Sequence, residues 1–299
     1  MTAHLDPSAL LVQPVVPAQP TGGASTLLVR ALKTRRGRLG FALAGVVLIV
    51  AIVGPAVAPD SPSEFVTAPL AQPDASHLLG GDALGRDVLS RLLSGGWEIL
   101  LMSAVATALG VGIGGALGMF AAFERGVTDS IVMRTVDVVL AFPQLVFALL
   151  LLSVAGASPV LIIVAVTLSH APPAARVIRS AALDVCERDY VTYGELIALP
   201  RRRIIASEIL PSLTSPLMVE AGLRFTWSVI TIAGLSFLGF GLQPPSPNWG
   251  TMINENRVGL TLNPWGVIAP AVAIAVLTVG VNTFTDAIAR VSLGVDRRR

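Results

Sequence analysis

The residues able to do chemistry are concentrated in one stretch. Between Arg176 and Pro211 lie six arginines (176, 179, 188, 201, 202 and 203) and five acids (Asp184, Glu187, Asp189, Glu195 and Glu208). Elsewhere the titratable groups are sparse. Glu220 and Arg224 stand four residues apart within an apolar run, a spacing that neutralises both charges on one helix face. Asp137 sits near the edge of another apolar run, where Arg134 is its nearest cation in sequence, and His170 lies inside a third with no histidine or acid at metal-ligand spacing. The single cysteine, Cys186, excludes an internal disulfide and any CxxC metal or redox pair. No HExxH, GxSxG or GxxxxGK[ST] motif is present, and the only lysine, Lys33, follows Leu32. These groups therefore suit contact and charge pairing, not bond-breaking. No catalytic residue, no metal ligand and no cofactor of this chain's own is expected.

The elements that must position them are membrane helices. With 53% hydrophobic residues, 13% charged residues and a mean hydropathy of +0.74, the 299-residue chain exceeds what a soluble domain could bury. A net charge of +2 gives no footprint for nucleic acid. The expected class is all-α and polytopic, with spans near 39–58, 98–123, 131–154, 157–175, 212–240 and 264–287. The uncharged run from Val138 to Ala175 would make a helix of ~57 Å, so it must fold back near Gly156. Pro143 is expected to kink the third span. Residues 1–29 read as a proline-bearing disordered tail and residues 30–299 as the membrane domain, with a polar loop over 176–211. A basic cluster (Arg30, Lys33, Arg35, Arg36 and Arg38) leads into the first span.

Local patterns refine this frame. In the loop, Tyr190, Tyr193, Leu196 and Ile197 form one apolar stripe of a short helix. Pro200 interrupts, and Ile204, Ile205, Ile209 and Leu210 form a second stripe that should stop at Pro211. Before the second span, Val88, Leu89, Leu92 and Leu93 share a face, with Asp87 placed to pair with Arg91. Within that span, Gly110, Gly114 and Gly118 recur at four-residue spacing, which lets two helix backbones approach closely in lipid.

Five basic residues precede the first span, two follow the second, six lie in the loop and four end the chain. Only Arg86, Arg91 and Arg257 fall on the other side. This bias predicts cytoplasmic termini and a cytoplasmic loop.

Several of these stretches resemble bacterial ABC-importer permeases. Tyr190-Val191, Ile204-Ile205 and Ile209-Leu210-Pro211 are similar to the family's cytoplasmic signature, EAA, three residues, Gly, nine residues, I-x-L-P. In that frame the EAA triplet falls on Thr192, Tyr193 and Gly194, and the family glycine on Ala198. Gly81-Asp82, Gly85-Arg86-Asp87 and Ser90-Arg91 resemble the GTDxxGRDxxSR stretch of the oligopeptide, dipeptide and nickel branch. Arg134, Asp137, Phe142, Pro143 and Leu145 resemble its RxxDxxxxFPxL segment, and GLSFLGFGLQPPSPNWGTMI, Gly234 to Ile253, is its most specific match.

The resemblance covers roughly residues 30–295. It implies a C-type permease subunit in the bacterial inner membrane. It further implies a second related permease, ATP-binding subunits (two chains or one fused chain) that carry ATP and Mg, and an extracytoplasmic solute-binding protein. ATPase coupling would fall to Glu187, Asp189, Tyr190, Thr192, Tyr193, Gly194, Glu195 and Ala198. Glu220 and Arg224 are candidates for the solute path, with peptide the expected cargo. An ion-gradient-driven secondary transporter is the competing expectation. It would usually show an internal repeat and ionisable groups at the midplane.

Overall fold

A computed structural model describes residues 24–241 and 246–294. Among these residues the chain forms helices, with only two isolated β-bridges, Phe65 with Arg86 and Gly81 with Asp87. In order they are α1 (Ala24–Lys33), α2 (Arg35–Val57), α3 (Val88–Ser94), α4 (Gly96–Glu124), α5 (Gly126–Leu140), α6 (Gln144–Ala155), α7 (Pro159–Cys186) and α8 (Asp189–Leu196). Then come α9 (Arg201–Ile204), α10 (Leu210–Ser212), α11 (Thr214–Phe237), α12 (Trp249–Asn256) and α13 (Trp265–Ser292).

Four stretches are long and apolar enough to cross a membrane: α2, the α3–α4 unit, α7 and α13. The bent pair α5–α6 makes a fifth. The stretch 212–240, expected as a crossing, holds the 24-residue α11 with its Glu220–Arg224 pair, which is not among those five. Seven helices meet in one apolar core built of α2, α3, α4, α6, α7, α11 and α13, capped by Trp249 and Met252 of α12. Outward faces stay apolar, as lipid-facing helices do: Leu39, Phe41, Val46, Ile49 and Ile52 of α2 are all exposed.

The α4–α7 pair is the tightest. A Cβ on Gly114 would lie 2.3 Å from the Ala171 carbonyl oxygen, and one on Gly118 would lie 2.4 Å from that of Ala175. Gly110 faces the Cβ of His170 at 3.0 Å. Side chains at these three positions would push the helices apart, so the four-residue spacing serves backbone contact. The register rises together along both helices, so α4 and α7 run parallel.

Several expectations are corrected. The supposed tail is helical from Ala24, and residues 1–23 lie outside the described residues. The loop expected from Arg176 begins only after Cys186, because α7 runs unbroken through Pro172 and Pro173. Pro173 has no N–H for the Ser169 carbonyl, and Gln144 Nε2 donates to that oxygen instead, at 3.4 Å. Burial of Ile178, Ala182 and Val185 against Met119 and Ala122 of α4 carries the helix onward. Pro143 does more than kink the third span: α5 and α6 meet at 83°. The second stripe ends one residue past Pro211, with α10 closing at Ser212. Asp87 does not pair with Arg91 but caps α3, accepting from Ser90 N at 2.7 Å. Asp137 pairs with Arg176 at 2.5 Å, not with Arg134. Cys186 is buried at the end of α7, so it would be a poor topology probe.

Candidate functional site

At one end of the bundle, the stretch after Cys186 builds a platform. Residues Val191 of α8, Ile204 of α9, Ile209 and Leu213 are buried with Ile178, Ala182 and Val185 of α7. Gly194 lies on the seated side of α8 facing Ile204 and Leu199, where a Cβ would make ordinary contact at 3.5–3.7 Å. Between α9 and α10 the chain makes a π-turn over Ile205–Ile209, which rotates Ile209 into the same core as Ile204.

One charge pair ties the platform to α4, and another joins α7 to α5 beside it. Arg201 Nη1 donates to both carboxylate oxygens of Glu124, at 2.5 and 2.8 Å, and Arg179 grips Asp129 through two bonds of 2.5 Å. The Tyr190 hydroxyl lies 3.0 Å from the Ser212 hydroxyl. These partners are 22 to 77 residues apart in the chain. Local spacing therefore could not reveal them.

The end of α8 closes in a Schellman motif. Leu199 N donates to Gly194 O and Ala198 N to Glu195 O, both at 3.0 Å, with Ala198 at φ +55°. That left-handed position favours glycine, which explains physically why a family glycine would map onto Ala198. Ala198→Gly is expected to stabilise the platform by roughly 1 kcal/mol, seen as a higher unfolding midpoint of the purified protein in detergent. An unchanged or lower midpoint would contradict this account of the turn.

What the platform holds outward is the stripe read from the sequence. Val191 and Gly194 are the seated face of α8. Tyr190, Tyr193, Leu196 and Ile197 instead point away, with Tyr193 64% and Leu196 79% exposed. Glu187, Asp189, Thr192, Glu195 and Ala198 are exposed around them, and so are Arg201, Arg202 and Arg203. Four large apolar side chains on a short helix fixed by a buried core make a contact surface, not a loop collapsed on itself.

Within the bundle, Arg224 Nε donates to Glu220 Oε1 at 2.7 Å, and both side chains are buried or nearly so. The hydroxyls of Thr107 (α4) and Ser228 (α11) lie 3.0 Å apart, and Thr226 bonds Asn282 of α13 at 3.1 Å. The interior thus carries a polar seam along α11. His170 is wholly buried beside Gly110.

The far end holds two sequence motifs against each other. Arg86 donates to Asp82 at 2.6 Å and to Glu255 at 2.7 Å. Arg91 joins the same two acids, with Glu255 at 2.6 Å. Asn263 Nδ2 donates to the carbonyls of Ala71, Leu79 and Gly81, and Asn256 Oδ1 accepts from Ala83 N. Trp249, fully buried against Gly95 and Gly96, donates Nε1–H to Leu92 O at 2.9 Å. The segment over 81–91 and the segment over 248–256 are thus one structure. In the second motif, Leu242 to Pro245 lie outside the described residues. The end of that motif enters a regular helix, α12.

Residues 114–292 match the model of the family described as binding-protein-dependent transport system inner membrane component. The chain is 35% identical to a glutathione transport system permease protein of Pectobacterium atrosepticum, over 72% of this chain and 71% of that one. It is 33% identical to a di/tripeptide transport system permease protein of Pseudomonas aeruginosa, over 84% of this chain and 86% of that one. A dipeptide transport system permease protein of Haemophilus influenzae is 30% identical over 85% of this chain and 89% of its own.

Proposed function

The chain belongs to the family of binding-protein-dependent transport system inner membrane components and is a permease subunit of an ABC importer. From that premise we propose that it imports short peptides or a related small solute, and that α8 is its contact with the ATPase. The observation that carries the coupling assignment is the exposed Tyr190, Tyr193, Leu196 and Ile197 stripe on a rigidly seated helix. A transporter whose energy comes from another polypeptide needs such a face, because a partner shifts a conformational equilibrium only through contacts that differ between its states. Glu187, Asp189 and Glu195 rim the face with negative charge, Thr192 and Ala198 complete it, Gly194 lies on the seated side beneath it, and the platform transmits the push directly to α7 and α11.

In this reading the chain crosses the inner membrane six times, with α11 as the crossing that carries the polar seam. Both termini and α8 are cytoplasmic. It pairs with a second, homologous permease, and together they enclose the path; Glu220 and Arg224 line or steady this chain's half of it. ATP and Mg are bound and hydrolysed in separate ATP-binding subunits or one fused chain. A solute-binding protein delivers cargo to the end built by residues 59–95 and 248–264. The similarity to peptide and glutathione permeases supports a peptide-like cargo.

The energy source is the test. Uptake by cells or proteoliposomes containing the complex is expected to persist when ion gradients are collapsed with ATP maintained, and to stop when ATP is removed. Uptake lost on collapse of the gradients alone would overturn the assignment.

A further inference from the structure

The first helix has no part in the account so far, and its surface is divided three ways. Leu27 and Ala31 of α1 are buried, Ala31 in a cluster with Ala287 and Ile288 of α13 and with Met218 and Val219 of α11. On the adjoining arc, Leu28 and Val29 are 37% and 53% exposed. The remaining arc carries Arg30 and Lys33. A capped bend then fixes the passage into α2. Thr34 Oγ1 donates to Ala31 O at 2.8 Å and accepts from Gly37 N at 2.9 Å. A Cβ on Gly37 would lie 2.0 Å from Ala31 O, so the bend is tight. Directly beyond it stand Arg35, Arg36 and Arg38, all exposed. These five cations form no ion pair among the described residues, and residues 24–38 include no acid to answer them.

We propose that α1 and the start of α2 form a binding surface for anionic phospholipid headgroups at the bilayer surface. The occupant follows from what the surface lacks and where it sits. An apolar arc left over after the protein contact is satisfied needs hydrocarbon, and the basic arc beside it needs negative charge. The surface of an anionic leaflet offers both along one helix. The site also adjoins the helix that enters the membrane, so its lipid is always at hand. The protein seat at Leu27 and Ala31 orients the helix before any lipid binds. The bend holds the arginines of α2 beside those of α1, which concentrates the positive charge. This inference rests on the chain being a membrane permease, but its readout involves no transport, so its failure would leave that reading intact.

The test uses the whole transporter complex reconstituted in bilayer discs of phosphatidylcholine with a minority of phosphatidylglycerol. Lipids retained after mild detergent extraction are measured by mass spectrometry. Wild-type protein is expected to retain phosphatidylglycerol several-fold above its bulk share, with the enrichment falling as salt rises. R30Q/K33Q/R35Q/R36Q/R38Q should fall to the bulk ratio, while R201Q/R202Q/R203Q, which removes loop charge elsewhere, should keep the enrichment. No enrichment in wild type, or equal loss in both variants, would overturn the proposal. Inorganic phosphate at matched ionic strength should not displace the lipid; displacement would point to a soluble anion instead. A second readout removes no charge. A polarity-sensitive fluorophore at Leu28→Cys, on a Cys186→Ala background, should shift to the blue in discs with phosphatidylglycerol relative to phosphatidylcholine alone. Identical emission in the two compositions would overturn the proposal even if the charge variant failed to assemble.

Discussion

Tyr193→Asp is expected to abolish uptake while leaving the chain inserted and folded. Tyr193 is 64% exposed and does not belong to the buried core beneath α8, which rests on Val191 and Gly194. Its loss therefore costs the isolated chain little. In the proposed coupling contact the same position is buried against the ATPase. A carboxylate there loses its water without gaining a cation, weakening the contact by about 2 kcal/mol or more. That is roughly a thirtyfold loss of affinity at a site where every cycle must transmit force. The complex should purify with less ATPase, or with ATPase whose hydrolysis no longer drives uptake. Tyr193→Phe, which keeps the ring, should behave as wild type. Normal uptake by the Asp variant would remove α8 as the coupling element.

The second large effect belongs to the opposite end. Arg91 is wholly buried and shares Asp82 and Glu255 with Arg86. Arg91→Met leaves a buried acid pair facing one arginine instead of two. Breaking a buried ion network in this way costs about 3–5 kcal/mol. Thermal unfolding of the purified chain should show it as a clear drop in midpoint, with Arg91→Lys in between, because Nη1 alone reaches both acids and an ammonium keeps that charge without its placement.

The same network sets an acid limit. Burial alone would raise the Asp82 carboxyl. Hydrogen bonds from Arg86 N and Leu84 N, with the charges of Arg91 and Arg86, outweigh this and hold it below its ordinary value. A depressed carboxyl stabilises the fold fully above its unfolded pKa of about 3.9, and that stabilisation is lost as pH falls through the folded value. The wild-type midpoint should therefore fall at pH below about 4, and Arg91→Met should show a weaker dependence there. Parallel acid profiles in the two proteins would mean that the network does not hold this end together.

Much of this was legible before any coordinates, and the physics explains which parts. The hydrophobic runs located the long apolar helices, because lipid demands uninterrupted apolar helix, but not all of their ends: α7 runs on to Cys186 where the apolar run had suggested a stop at 175. The stripe Tyr190, Tyr193, Leu196 and Ile197 was legible as a face, yet periodicity is silent on whether a face points in or out. Only the burial of Val191 and Gly194 shows that the larger residues point outward. Two charge pairs were read wrongly because sequence neighbours were preferred. Asp87 and Arg91, and Arg134 and Asp137, are adjacent on their helices, but Arg91 finds Glu255, and Asp137 finds Arg176 on α7. Glu220 and Arg224 were read correctly because no competing charge reaches the interior of that helix. Pro172 and Pro173 looked like a helix end, and the compensation from Gln144 lies 25 residues away from Ser169, beyond any local pattern. The left-handed Ala198 was legible only as a departure from a family glycine, and its φ of +55° gives that departure a physical cost.

The account stands or falls on whether the outward face of α8 meets the ATPase on the cytoplasmic side. The direct measurement is thiol labelling of Tyr193→Cys on a Cys186→Ala background, with a reagent that cannot cross membranes. No labelling is expected in intact cells, strong labelling in opened membranes that contain the permeases without ATPase, and protection when the ATPase is bound. Labelling in intact cells, or equal labelling with and without the ATPase, would contradict it.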